Sequence, residues 1–171
     1  GDVNGDGYDD VLVSGPNNNP DSSPGGTTYL LFGRGDGFAA RLDLGSLDGG
    51  AGLQIAGANG GPSAGEALAA GDLNGDGYDD LVIGDRVADH GGTDRGATYV
   101  VYGRDFTGGV TGAGTAGNDT LAGSSSAENF VGGRGNDVID GGGGADVLLG
   151  GAGDDVLLWR DGIRRIDGGH G

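Results

Sequence analysis

Between residues 114 and 167 the chain divides into six nine-residue units: GTAGNDTLA, GSSSAENFV, GGRGNDVID, GGGGADVLL, GGAGDDVLL and WRDGIRRID. The eighth position is apolar throughout, as Leu121, Phe130, Ile139, Leu148, Leu157 and Ile166. The sixth is Asp119, Glu128, Asp137, Asp146, Asp155 and Arg164, and glycine dominates the first, second and fourth. Such a unit has room for a six-residue glycine turn and a three-residue strand. One buried apolar side chain per strand is too little to fold alone, so the units must stack. With two units per coil, one side stacks Asp119, Asp137 and Asp155, and the other stacks Glu128, Asp146 and Arg164. Unneutralised carboxylates in such a stack repel, whereas aspartate oxygens and turn carbonyls together suit a Ca²⁺ ion held between turns. Binding and folding are then one event.

The counting carries further. The unbroken aspartate column has places for two ions, between Asp119 and Asp137 and between Asp137 and Asp155. Glu128 is one methylene longer, and its turn has Ser124 and Ser126 in place of glycine, which predicts a weaker Glu128/Asp146 site. Arg164 puts a positive charge where the next ligand belongs, which predicts no site beside it. Trp159, the only tryptophan, falls where the period breaks and is expected to cover the end of the core.

A second pattern occupies the other end. GDVNGDGYDD at 1–10 returns as GDLNGDGYDD at 71–80. The spacing D-x-N-x-D-G-x-x-D turns Asp2, Asn4 and Asp6 inward from alternate positions, with the Tyr8 carbonyl and Asp10 completing an oxygen shell. Asp72, Asn74, Asp76, Tyr78 and Asp80 take the same parts in the second copy. Six or more oxygens on a flexible loop favour Ca²⁺ over Mg²⁺. An EF-hand would need a glutamate at loop position 12, where Val13 and Ile83 stand. Asp9 and Asp79 fall between ligand positions and are expected to face solvent or cap the turn. Each loop feeds an apolar strand (Val11-Leu12-Val13; Leu81-Val82-Ile83), a polar turn and a second strand ending in aromatic-Gly-Arg. Leu53 to Ala56 and Glu66 to Ala70 are candidate short strands between the copies. The stretch 105–113 carries neither pattern and reads as a linker. Loops and roll are expected to be physically separate, so that Asp76→Ala would spare the roll.

The GDxNGDGYDD loop, the DLVIG-type strand after it and the later GATYVVYGR segment resemble FG-GAP repeats, the blades of integrin α-subunit β-propellers and of many bacterial secreted proteins. The resemblance covers about residues 1–108 and implies Ca²⁺ at the ten loop positions named above. Two copies are too few to close a ring of about 4–8 blades, so an incomplete propeller is expected. The nine-residue pattern, G-G-x-G-x-D-x-U-x, resembles the RTX (hemolysin-type) calcium-binding family and implies a parallel β-roll over 109–171. The fold expected is all-β: two FG-GAP blades, then the roll. The chain starts inside one motif and stops inside another, which reads as a segment of a larger protein.

The remaining composition narrows function. The net charge is −17, from 24 Asp and 2 Glu against nine Arg. Such acidity repels nucleic acid and anionic membrane surfaces, and no apolar run approaches the roughly 20 residues of a membrane helix. With no cysteine, ions replace disulfides as the stabilising device. His90 and His170 lie in glycine-rich turns without strong partners, and no Walker lysine or HExxH spacing occurs, so no catalytic role is expected. Arg34-Gly35-Asp36 spells the tripeptide that integrins recognise, but reads more simply as a turn after a strand. The RTX resemblance implies export through a type I system and folding outside the cell. The expected function is a Ca²⁺-dependent module of a large bacterial secreted or surface protein. Its partner would be a cell-surface protein or glycan. The alternative is an accessory region of a secreted hydrolase.

Overall fold

The computed structural model describes residues 1–15, 26–56, 65–86, 88 and 95–171. His90 and most of the polar turns inside the two repeated hairpins lie outside them. Among the described residues all regular structure is β apart from one 3₁₀ turn at Leu44–Ser46. By internal contacts the chain forms two units. The first is Gly1 with Tyr8–Gly71 and Asp80–Tyr102, and the second is Asp2–Gly7, Asp72–Asp79 and Gly103–Gly171.

In the first unit, apolar and β-branched runs follow each acidic loop and pair as antiparallel strands. Strands β1 (Val11–Gly15), β2 (Thr27–Leu31) and β3 (Gly52–Ala56) make one sheet in that order. Strands β4 (Ala67–Gly71), β5 (Asp80–Asp85) and β6 (Ala97–Val101) make another. The candidate strands between the two loop copies are thus β3 and β4. The repeat shows in the register: Val11 pairs with Leu31, and Leu81 pairs with Val101, each residue displaced by the same 70 positions. All five residues of β2 are buried, as its central place with Thr, Tyr and Leu side chains requires. Gly65 ties the sheets together, donating to the Gly84 carbonyl at 3.0 Å and accepting from the Ser14 hydroxyl. Arg34-Gly35-Asp36 is a turn: Gly37 N–H closes on the Arg34 carbonyl at 3.2 Å, and the guanidinium lies over Phe38.

The second unit contains a parallel β-solenoid. Strands β8 (Thr120–Ala122), β10 (Val138–Asp140) and β12 (Val156–Leu158) stack on one side. Strands β7 (Gly112–Ala113), β9 (Asn129–Arg134), β11 (Val147–Ala152) and β13 (Arg165–Asp167) stack on the other. Every pairing joins residues 18 apart, such as Ile139 with Leu121 and Leu157, and Leu148 with Phe130 and Ile166. All six eighth-position side chains meet between the two sheets, together with Ile163. Trp159 does not close this core. It is 70 % exposed, and Ile163 fills the place instead, because the chain bends at the broken period and turns the indole outward. Residues 105–113 are ordered by Asp105, whose carboxylate accepts from the N–H groups of Thr107, Gly108, Gly109 and Val110. The segment ends in β7, a strand that the glycine at its core position concealed.

The acidic loops are not physically separate from the roll. Val131, Val147 and Leu149 form the outer face of the β9–β11 sheet, and Tyr78 and Val110 pack against it. Gly7 sits so close to Val147 that a side chain there would collide. Arg134 donates to the Asn74 carbonyl at 2.8 Å. A lesion at Asp76 therefore acts on a loop that the roll touches.

Two outcomes test this packing. Leu148 is fully buried, so Leu148→Ala should cost the solenoid about 3 kcal/mol, measured by denaturant unfolding in Ca²⁺. Arg160 pairs with Asp140 at 2.6 and 2.5 Å and holds that carboxyl down at about 2. A depressed carboxyl stabilises fully above the range where the unfolded chain titrates, and the contribution is lost as pH falls toward 2. Arg160→Ala should return the Asp140 titration, followed by NMR, toward the ordinary aspartate value.

Candidate metal centre

Three aspartates at the sixth position of the roll, Asp137, Asp146 and Asp155, divide their two oxygens between different tasks. Asp119 N–H donates to Asp137 Oδ1 at 2.8 Å, and Asp137 N–H donates to Asp155 Oδ1 at 2.9 Å. On the opposite side Glu128 N–H donates to Asp146 Oδ1 at 3.0 Å. One oxygen thus latches onto the preceding coil. The other, Oδ2 of Asp137, Asp146 and Asp155, is buried without a hydrogen-bond partner. Burial pushes the Asp137 carboxyl above its ordinary range, and the charges of Asp155 and Asp119 add to that push, against a backbone hydrogen bond from Asp119. A buried carboxylate oxygen with no donor is costly by several kcal/mol unless something positive meets it.

The glycines explain what could meet it. A Cβ on Gly132 would strike both Asp137 Oδ2 and the Gly150 carbonyl, and one on Gly150 would strike Asp155 Oδ2 and the Gly168 carbonyl. Carboxylate and main-chain oxygens therefore converge where only glycine leaves space. All-oxygen donors of this kind fit Ca²⁺. The chain ends of the columns differ. Asp119 Oδ2 is taken by the N–H and hydroxyl of Thr115 at 2.6 and 2.9 Å. Ser124 binds Glu128 through N–H and hydroxyl, which holds that exposed carboxyl below its usual range. A Cβ on Gly141 would strike the Asp146 carboxylate first, and one coil on Trp159 stands in the place of the first-position glycine. Arg164 N–H instead donates to the Asp146 carbonyl at 2.8 Å.

The two acidic loops fold nearly alike. Asp2 Oδ1 accepts from Gly5 and Asp6 N–H, and Oδ2 from Gly7 N–H. Asp72 gathers Gly75, Asp76 and Gly77 in the same way. Asn4 and Asn74 each accept from the N–H two residues on and donate to the carboxylate of Asp6 or Asp76. The spacing thus brings the first three side chains of each loop together. Among the described residues no three acidic or imidazole side chains converge, so an ion here would have to draw on asparagine and carbonyl oxygens as well. Asp10 is buried and accepts from Gly33 N–H at 2.8 Å, and Asp80 is fully buried. Asp9 faces solvent. Asp79 caps the other loop, accepting from Asp2 N–H at 2.8 Å. Burial pushes the Tyr78 phenol up to about 12, with the Asp105, Asp76 and Asp2 charges adding. Burial likewise pushes Asp2 up to about 6, against the pull of the Gly7 N–H and Arg165.

Sequence reasoning missed two features. Arg165 reaches Asp2 Oδ2 at 3.2 Å. Asn118 and Asn136 form a ladder in which each side-chain carbonyl accepts an N–H one coil onward, at 2.9 and 3.1 Å. The signals were present: an arginine directly after Arg164 in the last unit, and asparagine recurring at the fifth position.

Comparison with known families matches residues 111–127 and 122–157 to the RTX calcium-binding nonapeptide repeat, in four copies. Residues 64–101 match the FG-GAP repeat. The chain carries the two repeat types in that order, FG-GAP first. Neither curated proteins nor solved structures gave a match. The RTX repeats bind Ca²⁺. Because a methyl on Gly132 fills the space between Asp137 Oδ2 and the Gly150 carbonyl, Gly132→Ala should raise the Ca²⁺ concentration needed to fold the roll by about tenfold, read by circular dichroism.

Proposed function

We propose that this chain is a calcium-organised, non-catalytic binding module of a secreted or surface-attached bacterial protein. The observation that carries it is the set of buried, partnerless oxygens on Asp137, Asp146 and Asp155. In this reading Asp119, Asp137 and Asp155 hold ions on one side of the roll, Asp137 from the middle of the column. Asp146 holds at most one ion, with Glu128, and none beside Arg164. Asp2, Asn4, Asp6, Tyr8 and Asp10, with Asp72, Asn74, Asp76, Tyr78 and Asp80, hold one ion per loop. Ca²⁺ supplies the positive charge that lets the carboxylates stack. The chain's residues supply the spacing, through latching Oδ1 bonds and glycines that admit the ion.

The first unit supports a propeller-type reading. Its two sheets share one hairpin in one register; the first adds β3 beyond the hairpin and the second adds β4 before it. Laid over each other, they make a four-stranded antiparallel meander, the unit of a propeller blade. Such blades serve adhesion to a protein or glycan on a cell surface, which we assign to this unit. The repeat types found are non-catalytic, which supports a binding role over chemistry.

The test is calcium removal from the whole chain. In chelator most β signal should disappear, chiefly from residues 114–171, and Ca²⁺ at roughly 10⁻⁴–10⁻³ M should restore it. Calorimetric stoichiometry then separates the columns. Asp137→Ala should remove two ions and Asp146→Ala no more than one. Identical spectra with and without chelator would overturn the reading.

A further inference from the structure

The two acidic loops differ at one residue in ten, Val3 against Leu73, so any difference in their affinity must come from their surroundings. Those surroundings differ in charge. Asp2 Oδ2 already accepts from Gly7 N–H and also meets Arg165 Nη1 at 3.2 Å. Arg164 donates to the Asp6 carbonyl of the same loop. Asp2 and Asn4 are almost wholly buried, at 3 % and 0 % exposure. At the second loop, Asp72 takes the same three N–H bonds and stays half-exposed. The arginine there, Arg134, donates to a main-chain carbonyl, that of Asn74. Among the described residues no guanidinium reaches the Asp72 carboxylate.

We infer that Arg165 is an internal competitor for the calcium of the first loop, so that two nearly identical loops load in a fixed order, second loop first. The inference rests on the reading that both loops bind Ca²⁺. A guanidinium beside a ligand carboxylate occupies its lone pairs and repels a divalent ion approaching them. Arg165 can give way, because its Nη2 also holds Asp167 at 3.1 Å and that partner remains when Asp2 is released. The pair is largely shielded from water, with Arg165 27 % and Asp2 4 % exposed at the side chain, so the competition survives ordinary salt. The broken period gains a purpose here. Where the sixth-position ligand of the last unit would stand, the WRDGIRRID unit has Arg164, and Arg164 and Arg165 instead bind the loop Asp2–Gly7.

The experiment is a Ca²⁺ titration of the full chain, followed by NMR at the amides of Gly5 and Gly7 and of Gly75 and Gly77. The second pair should reach its midpoint at lower Ca²⁺ than the first. Arg165→Gln should bring the Gly5 and Gly7 midpoint down by about tenfold, closing the gap, while Arg165→Lys keeps it open. The roll's Ca²⁺-induced circular dichroism, recorded on the same samples, shows that each variant folds. An unchanged gap in Arg165→Gln, or a first loop that loads first in the unaltered chain, overturns the inference. If the roll folds with Ca²⁺ but neither pair of amides moves, the loops do not bind calcium, and the reading beneath the inference fails instead.

Discussion

The roll depends on how a buried carboxylate spends its two oxygens. Oδ1 of Asp137 and of Asp155 each accept the N–H of the aspartate one coil back, which fixes the spacing of the turns. That bond also fixes where Oδ2 must lie: inside, against a glycine, with no protein donor in reach. Hydrogen bonding alone leaves the stack with a deficit that a cation removes. The three-residue strands add little by themselves, since each gives the core one apolar side chain. Strand pairing, core and the converging oxygens are therefore aspects of one repeat.

The two sides of the roll share that design but not its completeness. On the Asp137 side the first-position glycines continue as Gly114, Gly132, Gly150 and Gly168, so each carbonyl has a carboxylate to meet. On the Asp146 side the series runs Gly123, Gly141 and then Trp159, and the sixth position ends in Arg164. Chemistry that points inward elsewhere in the repeat is turned outward there. The indole is exposed, and both arginines engage an acidic loop.

Much of this was legible because a strict period fixes register. Once the apolar eighth position is known, the pairing of Ile139 with Leu121 and Leu157 follows from counting. The repeated hairpin was legible for the same reason. What counting could not supply was competition for the same atoms. Asp119 and Asp137 look equivalent in sequence, yet Thr115 in place of a glycine brings a hydroxyl that takes Asp119 Oδ2. Ile163 joins the core from a position that elsewhere holds asparagine, alanine or aspartate. The Arg165–Asp2 pair joins residues 163 apart, and no local pattern announces a contact of that range.

That range has a consequence for the order of assembly. Each strand pairing in the roll spans 18 residues, a short loop to close, and each finished coil offers an edge to the next. Contacts of high sequence separation form late, because the entropy of closing the long loop is lost before they return anything. The roll can therefore lengthen coil by coil, whereas the clasp on Asp2 has to wait until the last unit is in place. Residues near the start of the chain are then the last to reach their final partners.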